Sequence, residues 1–138
     1  MTNELIADML TRLRNASCAR HAFVLVPCNT QNAAILETLM LEGYIASYEI
    51  QSSLACSKWI KVFLRYKGWW IKKPFFSILN RVSKSGQRVF SGYTHFNKKI
   101  ASLKYGQGLA VISTSSGIVS HLKAISLKKG GEILCYIE

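Results

Sequence analysis

Acidic side chains are scarce in this 138-residue chain: 7 Asp and Glu stand against 18 Lys and Arg, a formal net charge of +11. A surface so poor in negative charge demands a polyanion, whether nucleic acid, an anionic membrane face or an acidic protein. Long hydrophobic runs are missing too. Stretches such as Ala22 to Val26 extend only a few residues, far short of the roughly 18 that span a bilayer, so no transmembrane helix and no membrane partner are expected. Cysteines never come as Cys-x-x-Cys. Cys18, Cys28, Cys56 and Cys135 are dispersed and follow no secretory signal, which points to buried reduced thiols rather than disulfides.

Catalytic groupings are equally lacking. His21, His95 and His121 lie far apart and form no His-x-x-x-His spacing, so they are expected at the surface or beside a bound polyanion. Gly106 and Gly108 are too short a pattern to cradle a phosphate. No catalytic residue, metal, cofactor or small-molecule substrate is therefore expected. The enzyme alternative, a basic nuclease using His95 or His121, has little to support it.

What is present is enough apolar material for a core, at 49% of residues. Leu5, Ile6, Met9, Leu10 and Leu13 mark one face of an opening helix that starts at Thr2 or Asn3. Arg12, Arg14, Arg20 and Ser17 have the flavour of a transit peptide, but Glu4 and Asp8 inside the same well-phased helix assign the segment to the fold. A buried strand over Ala22 to Val26 closes at Pro27. Thr30 is placed to cap a second helix buried through Ala33, Ile35, Leu36, Leu39 and Met40 and ended by Gly43. Strands follow at Tyr44 to Ile50 and Lys58 to Lys67. In the latter, Ile60, Val62, Leu64 and Tyr66 alternate with a largely cationic face.

The fold class is thus α+β, with a charge asymmetry that draws the domain boundary. Residues 1–67 form an α/β unit with 7 basic and 5 acidic residues, and residues 68–138 form a mainly β unit with 11 basic and 2 acidic. Gly68 to Pro74 reads as the connector. Beyond it, strands are expected over Ile78 to Val82, Arg88 to Phe90, Leu109 to Ile112 and Ile133 to Ile137, with a turn at Ser83 to Gly86 and one short helix between Val119 and Leu127. The hydroxyl run Ser113-Thr114-Ser115-Ser116-Gly117 ends a strand in an unusual way. Short hydroxyl side chains and free backbone N–H groups approach phosphate, ribose and base edges closely. An ordinary hydroxyl-rich turn is the competing explanation.

Three segments in register resemble the family of small-subunit ribosomal protein eight, of bacterial and organellar type: Ile6 to Ala16, Val111 to Ile118, and Gly130 to Tyr136. The resemblance implies a structural constituent of the small ribosomal subunit that binds the central domain of its ribosomal RNA, supports assembly and neighbours the small-subunit protein numbered five. A free regulator of a messenger RNA mimicking the ribosomal site is the alternative. Carried over by motif, the RNA-binding residues are Ser113, Thr114, Ser115, Ser116 and Gly117 with Glu132; Lys84, Gly86 and Arg88; Asn29, Thr30 and Gln31; and Arg12, Arg14 and Asn15. Glu132 suits RNA by accepting from a base amino group. For Asn29 and Thr30, capping of the second helix competes with RNA contact.

The chain departs from the family's pattern at Ser85, usually Pro, at Phe90, usually Tyr, and over Val119 to Ile125, where Lys123 is the one clear cation. Trp69 and Trp70 stand where plastid relatives are basic, and packing against a neighbour is favoured there over base stacking. The drift from Arg to Trp and from Pro to Ser suggests a plant-type mitochondrial ribosome over a plastid one, and no transit peptide is discerned, which suggests synthesis inside the organelle, with a mature chain after processing as the alternative.

Overall fold

The computed structural model describes residues 2–52, 58–103 and 108–138. The chain divides into two compact units, Met1–Ser77 and Ile78–Glu138.

In the first unit, α1 (Thr2–Cys18), β1 (Phe23–Pro27), α2 (Thr30–Leu41), β2 (Ile45–Ser52) and β3 (Lys58–Leu64) follow one another along the chain. The antiparallel sheet has the order β1-β3-β2 and carries the helices on one face. Ile6, Met9, Leu10 and Leu13 of α1 are buried with Ile35, Leu36 and Leu39 of α2 and Val26, Ile60 and Val62 of the sheet. Leu5, expected in that stripe, is 37% exposed, because its helical position falls outside the face that meets the strands.

Asn32, which the apolar pattern passes over, is fully buried, and its Nδ2 donates to the Pro27 carbonyl at 3.0 Å and the Leu5 carbonyl at 3.4 Å. One amide thereby ties the start of α2 to the end of β1 and to α1. The second face of β3 is aromatic as well as cationic: Lys61 Nζ lies 4.2 Å from the Phe23 ring centroid and 5.1 Å from that of Phe63. A short hairpin, β4 (Tyr66–Lys67) with β5 (Lys73–Pro74), completes the unit, so the expected strand over Lys58 to Lys67 breaks at Arg65.

The second unit contains β6 (Leu79–Arg81), β7 (Phe90–Ser91), a 3-10 turn at Tyr93–His95, α3 (Phe96–Leu103), β8 (Leu109–Thr114), β9 (Gly117–Ser120), α4 (His121–Ser126) and β10 (Gly131–Ile137). Its sheet runs β6-β10-β8-β9, with β7 also paired to β10. Phe96, Ile100, Ala110, Ile112, Ala124, Ile133 and Tyr136 form its core. The helix α3 was not anticipated. Its signal is the pair Phe96 and Ile100, four residues apart and both buried, which is too short a stripe to stand out by periodicity.

The expected helix at Val119 begins later, since Val119 pairs with Ile112 as a strand residue and Ser120 becomes the N-cap, its Oγ accepting from Lys123 N–H at 3.4 Å. His121 is a further correction. Rather than lying at the surface, it is 7% exposed and its Nδ1 accepts from the Ala110 N–H at 3.2 Å, fixing α4 to β8.

The thiols also differ from expectation. Cys18 is exposed, Cys28 intermediate and Cys135 buried, while Cys56 lies outside the described residues. Cys18 sits on the last turn of α1, away from the buried stripe. Cys135 lies on β10, where burial pushes its thiol up to about 12, partly offset by a hydrogen bond with the Val111 backbone. Native-state alkylation at neutral pH should therefore label Cys18 and leave Cys135 untouched until the protein is denatured, as read by peptide mass spectrometry. The folded state favours the protonated thiol, so its contribution to stability is complete below about pH 9 and is lost as pH rises towards about 12.

Candidate nucleic-acid interface

In the second unit the hydroxyl run forms the tip of the β8–β9 hairpin. Thr114 pairs with Gly117, leaving Ser115 and Ser116 as a two-residue turn. Thr114 shapes that tip: its Oγ1 donates to the Gly117 carbonyl at 2.9 Å and accepts from Ser116 N–H at 3.3 Å. Gly117 sits at φ +116°, a region L side chains rarely occupy. Ser115 is exposed at the apex, and Ser113 is half-buried at the base.

The sheet register brings other candidates to this tip. Phe90, Glu132, Ser113 and Ile118 occupy one cross-strand row over β7, β10, β8 and β9. Glu132 is mostly covered, with 14% of its side chain exposed, and Arg88 Nη1 stands 3.6 Å from its Oε2. Arg88 thus offsets the acid that would otherwise repel a phosphate. Lys129 is a residue that sequence reasoning missed. Lys128, at φ +54°, ends α4 in a left-handed cap in which Lys129 N–H donates to the Ala124 carbonyl and Lys128 N–H to the Ile125 carbonyl, both at 3.0 Å. That turn delivers Lys129 Nζ to Ser116 Oγ at 2.9 Å. No local sequence pattern predicts this, because the contact depends on the pairing of distant strands.

Lys84 and Gly86 lie on a tight turn in which Lys84 and Gln87 exchange both backbone hydrogen bonds, at 2.9 and 3.1 Å. Buried Ser83 steadies it by accepting from Val89 N–H at 3.0 Å. Both turn residues are exposed, and a Cβ built on Gly86 would meet nothing within 4 Å. The backbone there is open to a large ligand.

The remaining candidates belong to the first unit. Asn29 occupies the N-cap position of α2 but makes no side-chain cap bond, and Thr30 is the first helical residue, so the expected cap by Thr30 is not formed. Thr30 Oγ1 instead donates to Asn29 Oδ1 at 3.2 Å. Asn29 Nδ2, Gln31 Oε1 and Asn32 Oδ1 are buried polar atoms with no hydrogen-bond partner among the described residues. Arg12 is held within the unit: its Nε donates to both Asp8 carboxylate oxygens at 3.1 and 3.0 Å, its Nη1 to the Leu25 carbonyl at 3.3 Å, and its guanidinium lies 5.5 Å from the Trp59 ring centroid. Arg14 is half-buried and Asn15 exposed. Among the described residues no cluster of His, Cys, Asp and Glu is arranged to hold a metal ion, and no helix is long and apolar enough to cross a membrane.

A hydroxyl tip braced by Lys129, with the covered Glu132 carboxylate and Arg88 beside it, offers donors, acceptors and positive charge suited to contact with a polar, anionic partner. Comparison with known proteins agrees. The family model described as ribosomal protein S8 matches residues 4–137. A small ribosomal subunit protein uS8c from Phaeodactylum tricornutum is 42% identical over 137 residues, covering 99% of both chains. The uS8c protein of Cyanidium caldarium is 44% identical over the same span and coverage. The uS8 protein of Dictyoglomus thermophilum is 42% identical over 132 residues, covering 96% of this chain and 95% of that one. These relatives are of plastid and bacterial type, which supports the organellar or bacterial character of the sequence and favours a plastid over the mitochondrion inferred from composition. The family match covers nearly the whole chain: the chain belongs to the ribosomal protein S8 family.

Proposed function

We propose that this protein is a structural constituent of the small ribosomal subunit, of plastid-type ancestry, that binds the central domain of its ribosomal RNA and helps that domain assemble. The observation that carries this reading is the β8–β9 tip. Ser115 and Ser116 expose short hydroxyl groups, with half-buried Ser113 beneath them, beside Lys129, Arg88 and the Glu132 carboxylate, a mixed set that suits base edges and 2′-hydroxyl groups better than a uniform cationic patch would. Lys84 and the open backbone at Gly86 suit phosphates along the flanking strand. In the first unit, exposed Thr30 with half-buried Asn29 and Gln31 at the start of α2 suits a second RNA contact, and Arg14 and Asn15 on α1 are further candidates, with Arg12 already engaged with Asp8. The relatives' names place those proteins in the small subunit, which supports the same address here; a neighbour such as the small-subunit protein numbered five is part of the proposal.

The test is filter binding of an RNA fragment holding the irregular helical region of the central domain, across a salt series. Lys84→Ala should weaken binding without altering the preference for that fragment over scrambled RNA, and should reduce the salt slope by about one ion. Equal affinity for scrambled and central-domain RNA would refute the reading.

A further inference from the structure

The hairpin of β4 and β5 ends in five residues, Gly68 to Lys72, whose side chains do not serve the core. Trp69 is 91% exposed and Trp70 92%, with Ile71 at 58%. Indoles are the largest apolar side chains, and two held almost wholly in water are costly unless something covers them. The stem beneath them is firm. Phe75 N–H donates to the Arg65 carbonyl at 3.2 Å, and its ring takes the Arg65 guanidinium and Lys67 Nζ at 4.6 Å each and the Tyr44 ring edge-on at 5.8 Å. The Tyr66 hydroxyl donates to the His21 carbonyl. The tip itself is shaped by Gly68, at φ +97°, where a Cβ would lie 2.6 Å from the Ile71 carbonyl oxygen. The backbone thus fixes a tight turn that presents both rings outward.

Charge selects the occupant. Lys72 and Lys73 follow the tip in sequence and are exposed, and the chain has no acidic residue between Glu49 and Glu132. Paired aromatic faces edged by cations match unpaired nucleotides, whose bases stack on the rings while their phosphates meet the ammonium groups. We infer that Trp69 and Trp70 form a stacking platform for single-stranded RNA, with Lys72 and Lys73 on the adjoining phosphates. The inference takes its partner class from the RNA-binding function proposed above, but rests on residues of the first unit and not on those of the hydroxyl tip.

Trp59→Phe leaves the two tip indoles as the sole tryptophan fluorophores. In that background, an eight-nucleotide oligoadenylate RNA should quench the emission saturably, and the same strand in a duplex should quench it far less. Trp69→Ala with Trp70→Ala should lower affinity for the single strand roughly tenfold or more, and the corresponding double Phe variant should retain most of it. The double Ala variant should keep its affinity for the central-domain fragment within about threefold. Absence of quenching by the single strand, with central-domain binding intact, would overturn the platform alone. Loss of central-domain preference in the parent chain would instead overturn the proposed function. A blue shift on anionic phosphatidylglycerol vesicles without quenching by RNA would assign the rings to a lipid surface and equally overturn the inference.

Discussion

Gly131→Ala should lower the thermal midpoint of the second unit by on the order of 10 °C or more, because the added methyl has no room. A Cβ at that position would lie 2.1 Å from the Ser113 carbonyl oxygen and 2.9 Å from its carbonyl carbon, both backbone atoms that cannot swing aside. Relief requires β10 to part from β8 beside the Ser113–Glu132 pair, where the central strand of the sheet meets the base of the candidate interface. Overpacking of this kind costs about 1–3 kcal/mol and occasionally more, and each kcal/mol moves the midpoint of a small domain by about 4–8 °C. The informative control is Gly86→Ala. Nothing lies within 4 Å of a Cβ there and its φ is not in the left-handed range, so stability should stay within about 0.5 kcal/mol of the parent. Circular dichroism melts of the two variants compare them directly. Equal midpoints would mean that the β8–β10 approach is looser than described.

The second large effect is on RNA affinity, and it separates contact from scaffold at one hairpin. Ser115→Ala removes an exposed hydroxyl that supports no described hydrogen bond within the protein, so the melt should be unchanged while affinity for the central-domain fragment falls by about 1–2 kcal/mol, roughly five- to thirtyfold. Thr114→Val removes the bond to the Gly117 carbonyl and the acceptor for Ser116 N–H, so it should lower both the midpoint and the affinity. A Ser115→Ala chain that binds as tightly as the parent would move the RNA contact away from the tip.

Much of this architecture is visible in periodicity alone. Ile6, Met9, Leu10 and Leu13 announce α1, and the alternation through Ile60, Val62 and Leu64 announces β3, because each buries one face against a single neighbouring layer. What periodicity misses is set by partners distant in sequence. Val119 pairs with Ile112 across β8 and β9, buried His121 accepts from Ala110 N–H, and internal Asn32 donates to two converging carbonyls. At the interface, the hydroxyl run stands out in the sequence and proves to be a hairpin tip, and the resemblance names Glu132 while only the register places it opposite Ser113. Lys129 was invisible for the same reason as Asn32. Its position follows from the left-handed residue that ends α4, which no propensity assigns to a lysine.

The central claim is that this chain resides in a small ribosomal subunit through RNA contact. Sedimentation of organelle lysate through a high-salt gradient, with mass spectrometry for this chain in every fraction, tests it most directly. The account predicts co-migration with the small-subunit RNA through the salt wash, in the plastid fraction. Accumulation at the top of the gradient, with the ribosomal proteins running below it, would contradict the account and favour a free RNA-binding regulator.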